Sequence, residues 1–224
     1  MNLRTILAAT LAASSLSAMA NFTDPNNPSG TVVDRFADIE VLRYTVPGFN
    51  ELTLDQKKFV YFLTEAALAG RDILWDQNGR YNLALRQLLE GIYQNYTGNR
   101  NDPQFKAFEK YLKQVEFGNG AYHHYSTDKF TPEFNRHWFS RQLGDLDKSQ
   151  PELMQRLKPA MPGIMRLIFD PAFLAKRVNQ AEGADIIVTS ANNMYEGVTQ
   201  KEVEDYFNAI KDPNDPTPVS YGLN

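Results

Sequence analysis

Apolar residues recur every three or four positions through the middle of the chain, and this spacing predicts a series of amphipathic α-helices. Five helices are predicted here, beginning near Thr53, Asn82, Asp102, Thr131 and Pro151. Two of them carry proline directly after the first residue, where its missing N–H would be unpaired in any case. The pattern therefore predicts a helical region over residues 31–165.

The apolar stripes of these helices form the predicted core, because side chains at such spacings lie on one side of a helix. The first helix is predicted to bury Phe59, Phe62, Leu63 and Ala66. The second, predicted from Asn82 to Tyr96, is predicted to bury Leu85, Leu88, Leu89, Ile92, Tyr93 and Tyr96. The third is predicted to bury Phe105, Phe108, Leu112 and Val115.

The pattern changes after about residue 165. The run at 185–190 is rich in β-branched residues and predicts a strand. Thr199 and Glu202 match a capping box, which predicts a helix to about Lys211. Residues 219–224 are typical of a strand that begins without a partner, so the chain is expected to be truncated there. The predicted fold class is mostly α with a smaller mixed α+β part at residues 166–224.

The first twenty residues have the pattern of a signal peptide. Arg4 is followed by an apolar run at 6–13 and by the small-residue site Ala18-Met19-Ala20. The run is far shorter than the roughly 20 residues that span a bilayer, so it is expected to be removed. We therefore predict a signal peptide at 1–20, a flexible leader at 21–30, and a periplasmic or secreted chain without a membrane anchor.

Composition excludes several classes of chemistry. The chain has no Cys, which removes disulfides, thiolate nucleophiles and thiolate metal ligands. Its 23 basic and 27 acidic side chains give a net charge of −4. Affinity for nucleic acid comes mainly from Lys and Arg that displace counterions, so no nucleic-acid partner is expected.

The densest cluster of polar and aromatic residues is the loop at 118–130, which holds two of the three histidines. A zinc site needs three or four ligands, and no acidic residue lies at ligand spacing beside His137, so no metal ligand is assigned. Packing of the loop histidines beside tyrosines is the favoured interpretation. The candidates for lining a substrate cleft are Asn119, Tyr122, His123, His124 and Tyr125. Nucleophile-elbow and P-loop motifs are absent, so no catalytic residue is assigned.

Seven segments of the chain together carry a resemblance to a known family. They are RFADIEVLRY at 35–44, GRDILWDQNG at 70–79, NGAYHHY at 119–125 with DKF at 128–130, IFDP at 168–171, KRVNQ at 176–180, YEGVT at 195–199 and SYGLN at 220–224. In this order they resemble the N-terminal region of bacterial (Bacteroides-type) dipeptidyl peptidase III, a zinc metallopeptidase family.

The resemblance implies an exopeptidase that releases dipeptides from the N-termini of short peptides, with two lobes on either side of a cleft. In that family a His-Glu-x-x-x-His motif and a later Glu bind zinc, and the motif Glu is the general base. No histidine here begins such a motif. The resemblance therefore assigns no catalytic residue, zinc ligand or other cofactor to this chain. It implies the lower lobe and one cleft wall, with a missing C-terminal lobe as partner.

Two functions stay open on the sequence. The first is an N-terminal fragment of an exported dipeptidyl peptidase of this kind, inactive alone, with short peptides as substrates of the complete enzyme. The second is a free-standing exported helical module that binds a peptide or protein without catalysis. The expected truncation favours the first. A reading frame that continues past Asn224 to a His-Glu-x-x-x-His motif would support it, whereas a stop codon and a stable product would support the second.

Overall fold

The computed structural model describes residues 31–212 and 214–215. Within them the fold is mostly helical, with one small antiparallel sheet, which confirms the predicted class. Two compact units divide the chain, one ending at Glu51 and the other beginning at Leu52. Among the described helices, none has the length and apolarity needed to cross a bilayer. The predicted signal peptide, the leader and the strand at 219–224 lie outside the described residues.

The first unit contains a β-hairpin. Strand β1 (Val32–Phe36) pairs antiparallel with β2 (Ile39–Leu42), and Ala37 takes a positive φ of 51° in the tight turn between them. A single 3₁₀ turn follows at Phe49–Glu51. The prediction of a helical region over the whole of 31–165 is therefore wrong in its first part. Strands of four and five residues are too short for their period to be recognised, and their pairing decides the structure.

The second unit contains the eight described α-helices. They are α1 (Leu54–Asn78), α2 (Asn82–Asn95), α3 (Pro103–Gly118), α4 (Arg136–Ser149), α5 (Pro151–Leu157), α6 (Met161–Phe169), α7 (Ile186–Thr189) and α8 (Gln200–Ile210). Helix α2 is central, because it packs against α1, α3, α4 and α5. Short helices α7 and α8 pack against each other.

Three of the predicted helix starts are confirmed by their caps. Thr53 and Gln56 form a capping box at the start of α1, since each side chain accepts the backbone N–H of the other residue. Thr199 and Glu202 form a second capping box before α8. The Asp102 side chain accepts first-turn N–H groups of α3. These contacts satisfy groups that have no partner inside the helix.

The predicted start of the fourth helix is displaced. Helix α4 begins at Arg136 instead of at Thr131-Pro132, because Asn135 is its cap and accepts the N–H of Trp138 at 2.7 Å. Both positions carry a start signal. The helix begins where a side chain accepts the free N–H groups of the first turn, and a spacing pattern does not show which side chain does so.

The strand predicted at 185–190 is wrong, because residues Ile186–Thr189 form the helical turn α7. The Asp185 carboxylate accepts the N–H groups of Ile187 and Val188, both at 2.9 Å, and the N–H of Gln200 at 2.9 Å. One side chain therefore caps α7 and joins it to α8. These bonds outweigh the β preference of the branched residues, which depends strongly on context.

The core forms around α2 and α3, and the predicted apolar faces of these two helices are buried except for Tyr93 and Tyr96, which are half-buried. Fully buried side chains include Leu85, Leu88, Leu89, Phe105, Phe108 and Val115. Trp138 and Phe139 of α4 and Ile164 and Leu167 of α6 complete the same cluster. The stripe at i, i+3 and i+4 is sufficient to identify these faces.

The predicted buried face of α1 is wrong. Phe59, Phe62, Leu63 and Ala66 are exposed, and the buried side chain of α1 is Trp75 in its last turns. Helix α1 contacts α2, yet apolar side chains outside the predicted face, such as Tyr61, Leu68 and Leu74, are exposed as well. Periodicity shows which residues share a face and does not show whether anything covers it.

Candidate functional site

The loop that follows α3 is attached to the end of α1 and to the start of α2. Asn119 ends α3 with a left-handed φ of 51°, and its carbonyl accepts a hydrogen bond from Asn78 Nδ2 at 3.3 Å. Buried Asn82 accepts the N–H of Ala121 on its Oδ1 at 3.2 Å. Asn119, a candidate cleft residue, thus positions the loop through its backbone.

The Gly120→Ala substitution is expected to destabilise the fold by about 1–2 kcal/mol. Gly120 has φ 147°, and a Cβ there would lie 2.3 Å from the Asn82 amide nitrogen. Urea unfolding measures the change. Gly144→Ala is the matched control, since a Cβ at Gly144 meets nothing within 4 Å; it should stabilise α4 by up to about 1 kcal/mol. Equal effects at both sites would show that the loop does not require Gly120.

Tyr122 lies in the core instead of on the loop surface. Its side chain is 2% exposed, and its hydroxyl donates a hydrogen bond to the Leu174 carbonyl at 2.8 Å. Burial raises the pKa of this phenol, with a smaller contribution from Tyr111. Tyr122 therefore anchors the loop to the segment after α6 and leaves almost no surface for a ligand.

The other three candidate residues form an aromatic group at the loop tip. Nδ1 of His123 accepts the N–H groups of Tyr125 at 3.2 Å and Ser126 at 3.1 Å, so the proton of a neutral ring resides on Nε2. The His124 ring lies 4.4 Å from that of His123, 4.2 Å from that of Tyr125 and 4.9 Å from that of Phe117. This confirms the packing interpretation of the histidines. Tyr125 is 85% exposed and can contact a ligand.

Arg177 joins the loop to two distant segments. Its guanidinium donates to Asn78 Oδ1 at 3.3 Å and to the His124 carbonyl at 3.5 Å. Its backbone N–H donates to the Thr127 carbonyl at 3.0 Å, and its own carbonyl accepts the N–H of Asn192 at 3.1 Å. The last turn of α1, the loop at 118–130 and the segments at 176–180 and 191–193 therefore form one hydrogen-bonded surface.

Two lysines fix the loop at 118–130 by hydrogen bonds and an ion pair. Lys129 Nζ donates to the carbonyls of Asp170 and Phe173, both at 2.6 Å, and burial lowers the pKa of Lys129 against the opposing effect of Asp170. Lys176 forms an ion pair with Asp128, and this contact lowers the pKa of the Asp128 carboxyl. The charged groups of the loop are thus used to hold its shape.

An open cleft of about 720 Å³ lies beside the last turns of α1. Its lining consists of Asp72, Ile73, Asp76, Gln77, Asn193, Met194 and Tyr195. The Gln77 carbonyl accepts the N–H of Asn193 at 2.9 Å, which holds the two walls together. Carboxylate, amide and phenol groups beside two apolar side chains make a site that can bind both a polar backbone and an apolar side chain.

Sequence reasoning selected the loop and missed this cleft. Its lining residues come from two chain segments more than a hundred positions apart, and neither segment carries a catalytic motif. One signal was present, because GRDILWDQNG and YEGVT both belong to the seven resembling segments and each contributes to the lining.

The described residues were compared with the ligand sets that bind metal ions in proteins. Within residues 31–212 and 214–215, no group of three or more His, Cys, Asp or Glu side chains is placed to hold a metal ion.

No protein-family model and no curated protein matches this chain. The resemblance to dipeptidyl peptidase III consequently rests on the seven segments alone. Four of them contribute to the hydrogen-bonded surface or to the cleft described above, and Asp170 of a fifth accepts a hydrogen bond from Lys129.

Proposed function

We propose that this chain forms one wall of the peptide cleft in an exported, zinc-dependent exopeptidase similar to dipeptidyl peptidase III, with zinc ligands from residues other than those of this chain. One observation carries the proposal. Four of the segments that resemble the family, at 70–79, 119–130, 176–180 and 195–199, are distant in sequence, yet they meet around the end of α1.

The cleft chemistry suits a short peptide. Amide groups of Gln77 and Asn193 and the Tyr195 hydroxyl can exchange hydrogen bonds with a peptide backbone, while Ile73 and Met194 offer apolar contacts for a side chain. Tyr125 on the nearby loop adds an exposed aromatic ring. In this proposal the chain binds and orients the substrate, and the hydrolytic water is activated elsewhere.

A free-standing exported binding module is the second candidate. The exposed apolar face of α1 favours it, because large exposed apolar patches mark protein interaction sites. The two candidates differ in what they bind: the first requires a short peptide in the cleft, and the second requires a protein on α1.

Peptide binding to the purified chain tests the first candidate. A free tetrapeptide titrated by calorimetry is expected to bind with a Kd on the order of 0.1–1 mM, because only one wall of the cleft is present. Tyr195→Ala and Tyr125→Ala should each weaken binding several-fold. Tyr206→Ala, another exposed tyrosine that lies on α8 outside the cleft, should leave it unchanged. Binding that all three variants leave unchanged would contradict the assignment of the cleft.

Hydrolysis is measured in parallel. The chain is expected to release no dipeptide from dipeptidyl-arylamide substrates, with or without added zinc, because it lacks the His-Glu-x-x-x-His motif. Zinc-dependent turnover by the chain alone would show that this chain supplies its own zinc ligands, which would contradict the proposal. Reading the gene past the codon for Asn224 identifies whether the motif follows in the same frame.

A further inference from the structure

A cluster of charged side chains connects α1, α2 and α3 beside the cleft. Arg86 of α2 is its centre, because its guanidinium donates to the Asp72 carboxylate at 2.9 Å and to the Glu90 carboxylate at 3.0 Å. The same guanidinium lies 5.4 Å from the centre of the Trp75 ring. The Arg86 side chain is 11% exposed, whereas that of Asp72 is 61% exposed and lines the cleft. One side chain therefore connects the cleft to the helix interface.

Glu116 of α3 completes this cluster. Its side chain lies close to Glu90 and Arg86, and within the described residues its buried Oε1 atom accepts no hydrogen bond. Burial, reinforced by Glu90, raises the pKa of the Glu116 carboxyl to about 7. The protonated carboxyl can donate to the Glu90 carboxylate, so that the two groups share one proton.

Four elements carry charged or titratable groups near Glu116. They are Arg71 and Asp72 on α1, Arg86 and Glu90 on α2, Lys113 one turn earlier on α3, and His124 of the loop, which packs on Phe117. After burial, the main influences on the pKa of Glu116 are Glu90, which raises it, and the two arginines, which lower it. With Glu116 protonated, the two arginines balance Asp72 and Glu90. Its ionisation leaves one negative charge in excess.

Ionisation of Glu116 creates a buried carboxylate that needs a donor. A buried charge without a partner is costly, whereas an exposed ion pair contributes little. The contact between Arg86 and Asp72 is of the second kind, since water can solvate the exposed Asp72 carboxylate. The favourable exchange turns Arg86 towards Glu116 and leaves Asp72 in the cleft without its cation. Arg71 is the weaker competitor, because it is exposed and influences Glu116 less than Arg86 does.

We propose that Arg86 is a proton-controlled switch of the charge in the cleft. While Glu116 is protonated, Arg86 neutralises Asp72; when Glu116 ionises, Arg86 turns to it and the Asp72 carboxylate becomes available to a cationic group of a ligand. The two events are linked, so a cation bound at Asp72 favours loss of the Glu116 proton in return. The change of charge requires only the cluster, whereas its effect on peptides rests on the proposed function of the cleft.

The indole N–H signals of the two tryptophans test the switch without a ligand. Arg86 lies over the Trp75 ring, so the Trp75 signal in a proton–nitrogen correlation spectrum is expected to shift with a midpoint near pH 7 as Arg86 moves. The Trp138 signal, from the core side of α4, is the internal control and should not follow this titration. Glu116→Gln should abolish the Trp75 shift, because an amide cannot ionise. A Trp75 signal that does not titrate, or that still titrates in Glu116→Gln, would overturn the proposal.

Two control variants identify the groups that move and titrate. Arg71→Gln should retain the Trp75 titration with a slightly higher midpoint, because it removes a cation that lowers the pKa of Glu116 after the larger effects of burial and Glu90. His124→Gln should retain it unchanged. Far-UV circular dichroism shows whether the variants fold, and the wild-type titration needs no variant. Loss of the titration in Arg71→Gln would assign the movement to Arg71, and loss in His124→Gln would assign the proton to the loop; either result would overturn the proposal.

Peptide binding tests the effect on the cleft. A tetrapeptide that contains lysine and its norleucine analogue share the same backbone and free amine, so the ratio of their Kd values isolates one side-chain charge. The preference for the lysine peptide is expected to rise several-fold from about pH 6 to about pH 8, and to stay constant in Asp72→Asn and in Glu116→Gln. A constant ratio in the wild type would overturn the release of Asp72. If neither peptide binds, the proposed function of the cleft is wrong, and the Trp75 titration still decides the switch.

Discussion

The Phe108→Ala substitution is expected to lower the free energy of unfolding by about 3–5 kcal/mol. Phe108 is fully buried at the centre of α3. Its ring centroid lies 5.6 Å from that of Trp138, 5.8 Å from that of Phe134 and 6.1 Å from that of Phe105. Removing it leaves a cavity lined by rigid rings that cannot collapse to fill it. Urea unfolding measures the change.

Phe117→Ala is the matched control for the cavity. Phe117 lies on the same helix, but its side chain is 41% exposed and contacts the His124 ring at the surface. Its loss should cost about 1 kcal/mol or less. Losses of equal size would mean that the aromatic cluster around Phe108 is loosely packed, contrary to the ring distances.

Glu116 is expected to make stability depend on pH. Burial, reinforced by nearby Glu90, raises the pKa of the Glu116 carboxyl from its ordinary value of 4.5 to about 7, while Arg86 and Arg71 oppose the shift. The folded state therefore holds this proton more tightly than the unfolded chain. Its contribution to stability is fully present below about pH 4.5 and is lost as pH rises through about 7, by on the order of 2–3 kcal/mol in total.

The Glu116→Gln substitution is expected to remove this dependence, because an amide cannot ionise. At pH 8 the variant should be more stable than the wild type by on the order of 2 kcal/mol, and the two should converge near pH 4.5. Urea unfolding from pH 4.5 to 8 measures both curves. Glu182→Gln, in an exposed loop, is the control and should leave the wild-type slope. A Glu116→Gln curve parallel to the wild type would mean that another group causes the dependence.

The positions of most helices could be predicted from the sequence. Thr53 with Gln56, Asp102 and Thr199 with Glu202 identify helix starts, because a cap is made by residues within one turn. Where two local signals compete, as at Thr131 and Asn135, spacing alone selects the wrong one. At 185–190 the β-branched run was overridden by Asp185, whose carboxylate also reaches Gln200 fifteen positions away.

The candidate site was predictable only in part. The loop at 118–130 stands out by composition, and the aromatic group around His124 follows from neighbours in the chain. The loop is joined to the end of α1 through Arg177, which is 99 positions from the Asn78 side chain that it contacts. The cleft walls are similarly distant, so no local pattern could have paired them.

By itself the sequence determined where most helices begin, which residues share a face on each of them, and the chemistry that the absence of Cys excludes. These properties depend on hydrogen bonds and spacings within a few positions. Only the tertiary structure decided that the stripe of α2 is covered while that of α1 is open, and that Asn193 meets Gln77. Burial and long-range contact depend on which surfaces come together in space, and an apolar face looks the same in sequence with or without a partner.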